Sequence, residues 1–285
     1  MNIYRSEEGK KLVLSTYKKM LDTWPVDNKQ YKVSTNQGET FVIEMGSRDN
    51  PPLMLLHGST SNSYCWLGDV EALSESYNVY AIDIIGEAGF SENQRPTYES
   101  GVYAVWLNAV MEKLHLKKTN IVGLSLGGWM ALDFATTHPE KVSSLFLMCA
   151  GGIYKEKKRF IFKAVLLSLF GKRGTQNIMK MLNGGVLPDQ NEPGLKLALD
   201  YTALVSKHFK PRTANLSIFT EDKLKALTMP VLAVYGDNDC ILNGKESLTR
   251  LGAHLSNVKT VLLANTGHII TDQAGSILAF LKECS

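Results

Sequence analysis

Six short apolar runs, each closing on glycine or polar residues, constrain this chain more than any other feature. They are "LMLLHG" (53–58), "NVYAIDIIG" (78–86), "TNIVGLS" (119–125), "SSLFLMCAGG" (143–152), "PVLAVYGDND" (230–239) and "VKTVLLANTGH" (258–268). Helical patterns lie between them. The clearest runs from Tyr98 to Leu114, where Val102, Val105, Trp106, Ala109, Val110 and Leu114 recur at spacings of three and four. Strands apolar on both sides, alternating with amphipathic helices, imply an α/β fold with a mostly parallel central sheet flanked by helices. In such sheets the ligand crevice lies just past the C-terminal ends of the strands. The polar residues that close the apolar runs therefore become the candidates for chemistry.

The ends of the pattern differ from its middle. Residues 6–22 read as an amphipathic helix stopped by Trp24-Pro25, and "YKVSTNQGETFVIEMG" reads as a hairpin around an Asn-Gln-Gly turn. Residues 153–228 hold no clear strand; "FIFKAVLLSLF", "NIMKMLNGGVL" and "LKLALDYTALVSKHF" are all helix-like. That segment reads as a helical cap inserted over the C-terminal edge of the sheet. Its basic run, "YKEKKRFIFKAVLLSLFGKR", could dock on an anionic membrane or lipid, but the favoured reading is a cap helix with its apolar face over the site and its charges in water.

The formal net charge of +3 gives no case for nucleic acid. No apolar run reaches the ~20 residues that a membrane span needs. Cys65, Cys149, Cys240 and Cys284 show neither CxxC spacing nor a metal-ligand pattern with histidine, and read as free thiols. The N-terminus is charged from its start and does not read as a signal peptide, so the expected location is cytoplasmic. Nothing resembles a nucleotide loop or a metal cluster, and no cofactor is expected.

The sharpest local signal is "GLSLG" (123–127), a G-x-S-x-G sequence between a strand and a helix. A strand that turns directly into a helix forces strained backbone angles at the serine, and the flanking glycines relieve the crowding. The turn exposes the Ser125 hydroxyl beside the N-terminal end of the following helix. A hydroxyl needs a base to become a nucleophile. His268, after the last apolar run, is the candidate; His57 reads as structural. The base needs an acid to orient it. Asp237 and Asp239 both follow "VYG", and Asp239 is favoured, with Asp237 as a turn residue. The N–H groups of Leu126 and Ser59 are the expected oxyanion donors. Met179, Met181 and Leu182 read as cap core or as substrate-pocket lining.

"LLHGS", "GLSLGG", "GDND" and "TGH" occur in that order, each after a strand-like run. Together they resemble the α/β-hydrolase superfamily from about Tyr31 onward, and within it bacterial carboxylesterase-type members with an N-terminal helix before "WP" and a "DIIGE" segment. The resemblance implies a single α/β-hydrolase domain, with its core at about 26–152 and 229–285 and its cap at about 153–228. It also implies a serine, aspartate, histidine triad. Many relatives carry D-x-x-G-x-G-x-S after the third core strand; "DIIGEAGFS" (83–91) has one residue too many between its glycines. The proline-containing segment common after the histidine is missing, and Thr271 and Asp272 are left to cap the last helix.

The expected activity is hydrolysis of a small to medium, mostly apolar carboxylic ester through an acyl-enzyme. Alternatives on the same scaffold are a lactonase, thioesterase, amidase, C–C hydrolase or perhydrolase. A protein that binds a ligand for signalling and turns over slowly is the alternative from another class.

Overall fold

The computed structural model describes residues 2–168, 170–186 and 193–284. Met1, Leu169, residues 187–192 and Ser285 lie outside the described residues, and with them Leu169 and Leu187 of the helix-like runs read above. The N-terminal amphipathic pattern forms α1 (Glu7–Leu21). The Ser6 hydroxyl accepts from the Gly9 N–H at 3.0 Å, with Glu7 and Glu8 in the first turn and Lys18 and Lys19 in the last. Cap and charges thus both favour the helix. Its buried stripe is Val13, Tyr17, Met20 and Leu21.

A hairpin of β1 (Asn28–Thr35) and β2 (Gly38–Met45) follows, closed by Asn36 and Gln37, with Gly38 at φ +94°. The apolar runs then become β3 (Pro52–Leu56), β4 (Asn78–Ile82), β5 (Thr119–Leu124), β6 (Val142–Met148), β7 (Val231–Gly236) and β8 (Val258–Leu263). Interleaved with them are α2 (Val70–Ser76), α3 (Val102–Lys113), α4 (Leu126–Thr137), α9 (Gly244–His254) and α10 (Ala274–Glu283). The sheet order is β1-β2-β4-β3-β5-β6-β7-β8. The hairpin is antiparallel, β2 meets β4 antiparallel, and every pairing from β4 to β8 is parallel. Each parallel link needs a crossover, which the helices provide. Strands β3, β4 and β6 are nearly all buried, whereas β8 is exposed along most of its length because it is an edge.

Two local readings change. Gly101 lies at φ +69° and breaks the Tyr98–Leu114 pattern, so α3 begins at Val102 after a single 3₁₀ turn. At α10 neither Thr271 nor Asp272 serves as the cap. The carboxylate of Asp69, far away in sequence, accepts from the Ala274 N–H at 2.8 Å.

Between β6 and β7 lie α5 (Lys158–Ser168), α6 (Gly171–Leu182), α7 (Pro193–His208) and α8 (Glu221–Lys225), with no strand among the described residues of that segment. Helix α7 packs on α1: Tyr201 and Tyr17 have ring centroids 6.2 Å apart, and an isolated bridge joins Tyr4 to Phe209. The chain from Phe209 to Thr220 then returns to the core. There the Trp129 Nε1–H donates to the Ser217 carbonyl at 2.9 Å, and the Phe219 N–H donates to the Gly152 carbonyl at 2.9 Å. No helix among the described residues is long and apolar enough to cross a membrane.

Candidate active site

Ser125 sits between β5 and α4 at φ +53°, ψ −107°, outside the regions that side-chain-bearing residues prefer. The turn is held from both ends. The Ser125 N–H donates to the Met148 carbonyl at 2.8 Å, and the Ser125 carbonyl accepts from Trp129 and Gly151 N–H groups at 3.0 and 3.2 Å. The glycines are required by close approach. A Cβ on Gly123 would meet the Gly127 carbonyl oxygen at 2.6 Å, and one on Gly127 would meet the Leu56 carbonyl oxygen at 2.1 Å. Backbone cannot yield as a flexible side chain can, so the strand packs on the helix only with glycine at both places.

His268 enters from the loop after β8. Its N–H and that of Ile269 both donate to the Leu182 carbonyl, at 2.7 and 3.1 Å, so the C-terminal end of α6 fixes this loop. The imidazole Nε2 lies 3.0 Å from the Ser125 Oγ, and Nδ1 lies 2.8 Å from the Asp239 Oδ2. Asp239, 1 % exposed, is therefore the acid that meets the histidine. Asp237 is exposed and accepts from the Thr266 N–H at 3.2 Å. The other oxygen of Asp239 accepts from the Ile241 and Leu242 N–H groups at 2.7 and 2.9 Å. Burial pushes this carboxyl up, but the His268 hydrogen bond and charge and the two N–H groups outweigh it, so it stays below the usual carboxylate range. With Asp239 ionised, Nδ1 carries the proton and Nε2 faces the hydroxyl as an acceptor.

The Leu126 N–H stands at the first position of α4, and Ser59 follows the glycine after β3. Among the described residues neither N–H has an acceptor. His57 is fully buried; its Nδ1–H donates to the Gly58 carbonyl at 2.7 Å and its Nε2 accepts from the Ile84 N–H at 2.9 Å. Burial pushes its pKa down, although Asp83, the Gly58 carbonyl and Glu87 pull the other way. A folded-state pKa below the unfolded value means the unfolded chain takes up more protons as pH falls. Stability from His57 is thus complete above its unfolded pKa of ~6.5 and declines as pH falls below it. We expect chemical denaturation between neutral and mildly acidic pH to show this loss, and His57→Gln to flatten it; an unchanged pH slope in the variant would disprove the role.

The three pocket candidates lie in different surroundings. Leu182 touches the histidine loop through its backbone. Met181 instead lines a groove between α5 and α6, with Leu166, Leu167 and Lys163, that includes none of Ser125, Asp239 or His268. Met179 is half-buried on α6. All four cysteines are free, but the fold does bring Cys149 beside the histidine, which sequence spacing did not suggest. Its Sγ, an Asp239 oxygen and a His268 nitrogen lie within 4.8 Å of one another, the one such group of metal-ligating atoms among the described residues. Burial pushes the Cys149 thiol well up, and Asp239 and His268 already bond each other, so the set is poorly suited to hold a cation.

Sequence reasoning missed the residues that hold the loop after β3. Buried Asp83 accepts from the Ser63 N–H, the Ser63 hydroxyl, the Tyr17 hydroxyl and the Phe90 N–H, at 2.7 to 2.9 Å. The Asn62 amide donates to the Ala88 carbonyl and the Tyr201 hydroxyl. Glu87 accepts from the Thr60 N–H. The only sequence signal was the irregular "DIIGEAGFS": its additional residue gives a turn whose Glu87 and Ala88 both point into the protein, 1 % and 0 % exposed.

Known proteins are similar to this chain over most of its length. A carboxylesterase of Bacillus subtilis, the uncharacterized carboxylesterase nap, is 28% identical over 262 residues, which cover 90% of this chain and 86% of that protein. Carboxylesterase YbfK of the same organism is 26% identical with the same coverage. The crystal structure of a naproxen esterase, carboxylesterase NP, also from Bacillus subtilis, superposes with a TM-score of 0.83 at 26% identity, covering 98% of this chain and 99% of that one. The family model described as alpha/beta hydrolase fold matches residues 51–274, from the start of β3 to the start of α10, and the chain belongs to that family.

Proposed function

We propose that this chain is a serine hydrolase that cleaves small to medium, mostly apolar carboxylic esters through an acyl-enzyme. The observation that carries the reading is the unbroken line of hydrogen bonds from Ser125 Oγ through His268 to Asp239, 3.0 and 2.8 Å long. The carboxylesterase names of its relatives support the ester bond as the target.

In this reading His268 Nε2 takes the proton of Ser125 as Oγ attacks the ester carbonyl. The Leu126 and Ser59 N–H groups hold the oxyanion, each such donor being worth ~3 kcal/mol in the transition state. Asp239 keeps the imidazole in its productive tautomer and stabilises the imidazolium. His268 then protonates the departing alcohol, and the C–O bond breaks. Water enters and gives its proton to His268. The second tetrahedral adduct collapses to the free acid and regenerated Ser125. The helical segment at about 153–228 acts as a cap on the acyl and alcohol sites, with Leu182 bordering the histidine.

Stopped-flow mixing with p-nitrophenyl butyrate tests the covalent step. A burst of p-nitrophenolate equal to the enzyme concentration is expected, with one butyryl group on the peptide containing Ser125 after acid quench. Higher kcat/KM for lactones, thioesters or amides than for simple esters would replace the substrate assignment. Tight ester binding with neither burst nor turnover would defeat the enzymatic reading.

A further inference from the structure

The loop that carries Ser59 is shaped by a strained residue. Thr60 lies at φ +55°, a left-handed conformation that a β-branched side chain disfavours. Something must hold the backbone there, and the Thr60 N–H donates to the Glu87 Oε2 at 2.7 Å. The other oxygen of Glu87 accepts from the Arg212 Nε–H at 2.9 Å. The pair is buried, with side-chain exposures of 0 % for Glu87 and 8 % for Arg212.

Arg212 belongs to the segment that leads out of the helical insertion, between α7 and α8. Its guanidinium also donates to the Ile85 carbonyl at 3.2 Å and lies 5.4 Å from the ring centroids of both Tyr98 and Tyr103. A buried ion pair contributes little net stability, because desolvation offsets most of the attraction. An apolar pair would fill the space as well. What an apolar pair cannot do is accept the Thr60 N–H and keep the peptide at Ser59–Thr60 in one orientation.

We propose that Glu87 is a positioning residue for the oxyanion loop, and that its bond to Arg212 ties that loop to the segment returning from the helical insertion. The inference rests on the serine-hydrolase reading above. Glu87 touches no reacting atom; it acts through the backbone of Thr60 on the donor one residue before it. The return segment has its own anchors at Ser217 and Phe219. Loss of the carboxylate therefore loosens the oxyanion loop without releasing the segment.

The test uses Glu87→Gln and Glu87→Asp in the full chain, with rates normalised to sites titrated by the p-nitrophenyl butyrate burst. Gln presents one acceptor oxygen to two donors, and Asp keeps the charge but is one methylene short of Thr60. Each is expected to lower kcat by about 10- to 100-fold, a fraction of the loss on deleting an oxyanion donor outright, with KM little changed. Affinity for butylboronic acid, whose tetrahedral adduct needs the oxyanion donors, should fall in parallel. The midpoint of the pH–rate profile should stay in place, because the imidazole is not involved. Should neither variant fold, Arg212→Lys, which keeps the counter-charge but has no fork to span Glu87 and Ile85, gives the same comparison. A folded variant with wild-type kcat per titrated site and wild-type boronate affinity would overturn the proposal. Failure of the hydrolase reading itself looks different: the unaltered protein would show no burst, and boronate binding would not depend on Ser125.

Discussion

Ser125→Ala is expected to lower kcat for p-nitrophenyl butyrate by about 10⁴-fold or more, the scale seen when a hydrolytic nucleophile is deleted. The fold should be nearly untouched. Among the described residues the hydroxyl bonds to His268 alone. The strain at φ +53° belongs to the backbone, and alanine bears the same Cβ. Stability should therefore stay within about 1 kcal/mol of the parent. The variant should still bind esters, because the substitution leaves the Leu126 and Ser59 N–H groups in place. Turnover and melting temperature measured on one preparation decide the matter. A variant that keeps its rate would show that another group attacks the ester.

Asp239→Asn should cost nearly as much, about 10⁴-fold in kcat, as when the aspartate of such a triad is amidated. The reason is the direction of one proton. The asparagine oxygen can still accept from Ile241 and Leu242, which hold the carboxylate now. Its NH₂ then faces His268 Nδ1 and donates to it. The ring proton is driven to Nε2, where it meets the Ser125 hydroxyl as a donor and cannot take its proton. Asp237→Asn is the matched control: that side chain is exposed and holds the Thr266 N–H. Its kcat should remain near the parent value. A larger loss for Asp237→Asn than for Asp239→Asn in steady-state assays would reverse the assignment of the acid.

These two experiments touch parts of the site that were legible to different degrees. The turn at Ser125 was plain because its causes are local: an apolar run, two glycines around a serine, and an amphipathic run. Gly123 and Gly127 turn out to be needed for contacts with the start of α4 and the end of β3, but the pattern appears within five residues. The acid was half legible. Asp237 and Asp239 share a turn and a chemistry, and two residues of backbone geometry separate an exposed carboxylate from a buried one. The helix α10 was visible but its cap was not, because Asp69 reaches it from the other end of the chain. The contact of Glu87 with Arg212 was not legible at all: β5, β6 and the helices from α3 to α7 lie between them along the sequence. Met181 lines a groove between α5 and α6, and its place in a helical pattern did not say which neighbour it would face.

The sequence by itself determined the alternation of strand and helix, the hydroxyl at the end of β5 and the order of the polar residues past the strand ends. Those depend on side-chain periodicity and on steric limits that act over a few residues. Only the tertiary structure decided which carboxylate meets His268, which carbonyl holds its loop and which buried charge braces Thr60. A hydrogen bond is short and directional, so it depends on the final separation of groups that the chain places far apart, and no local pattern encodes that distance.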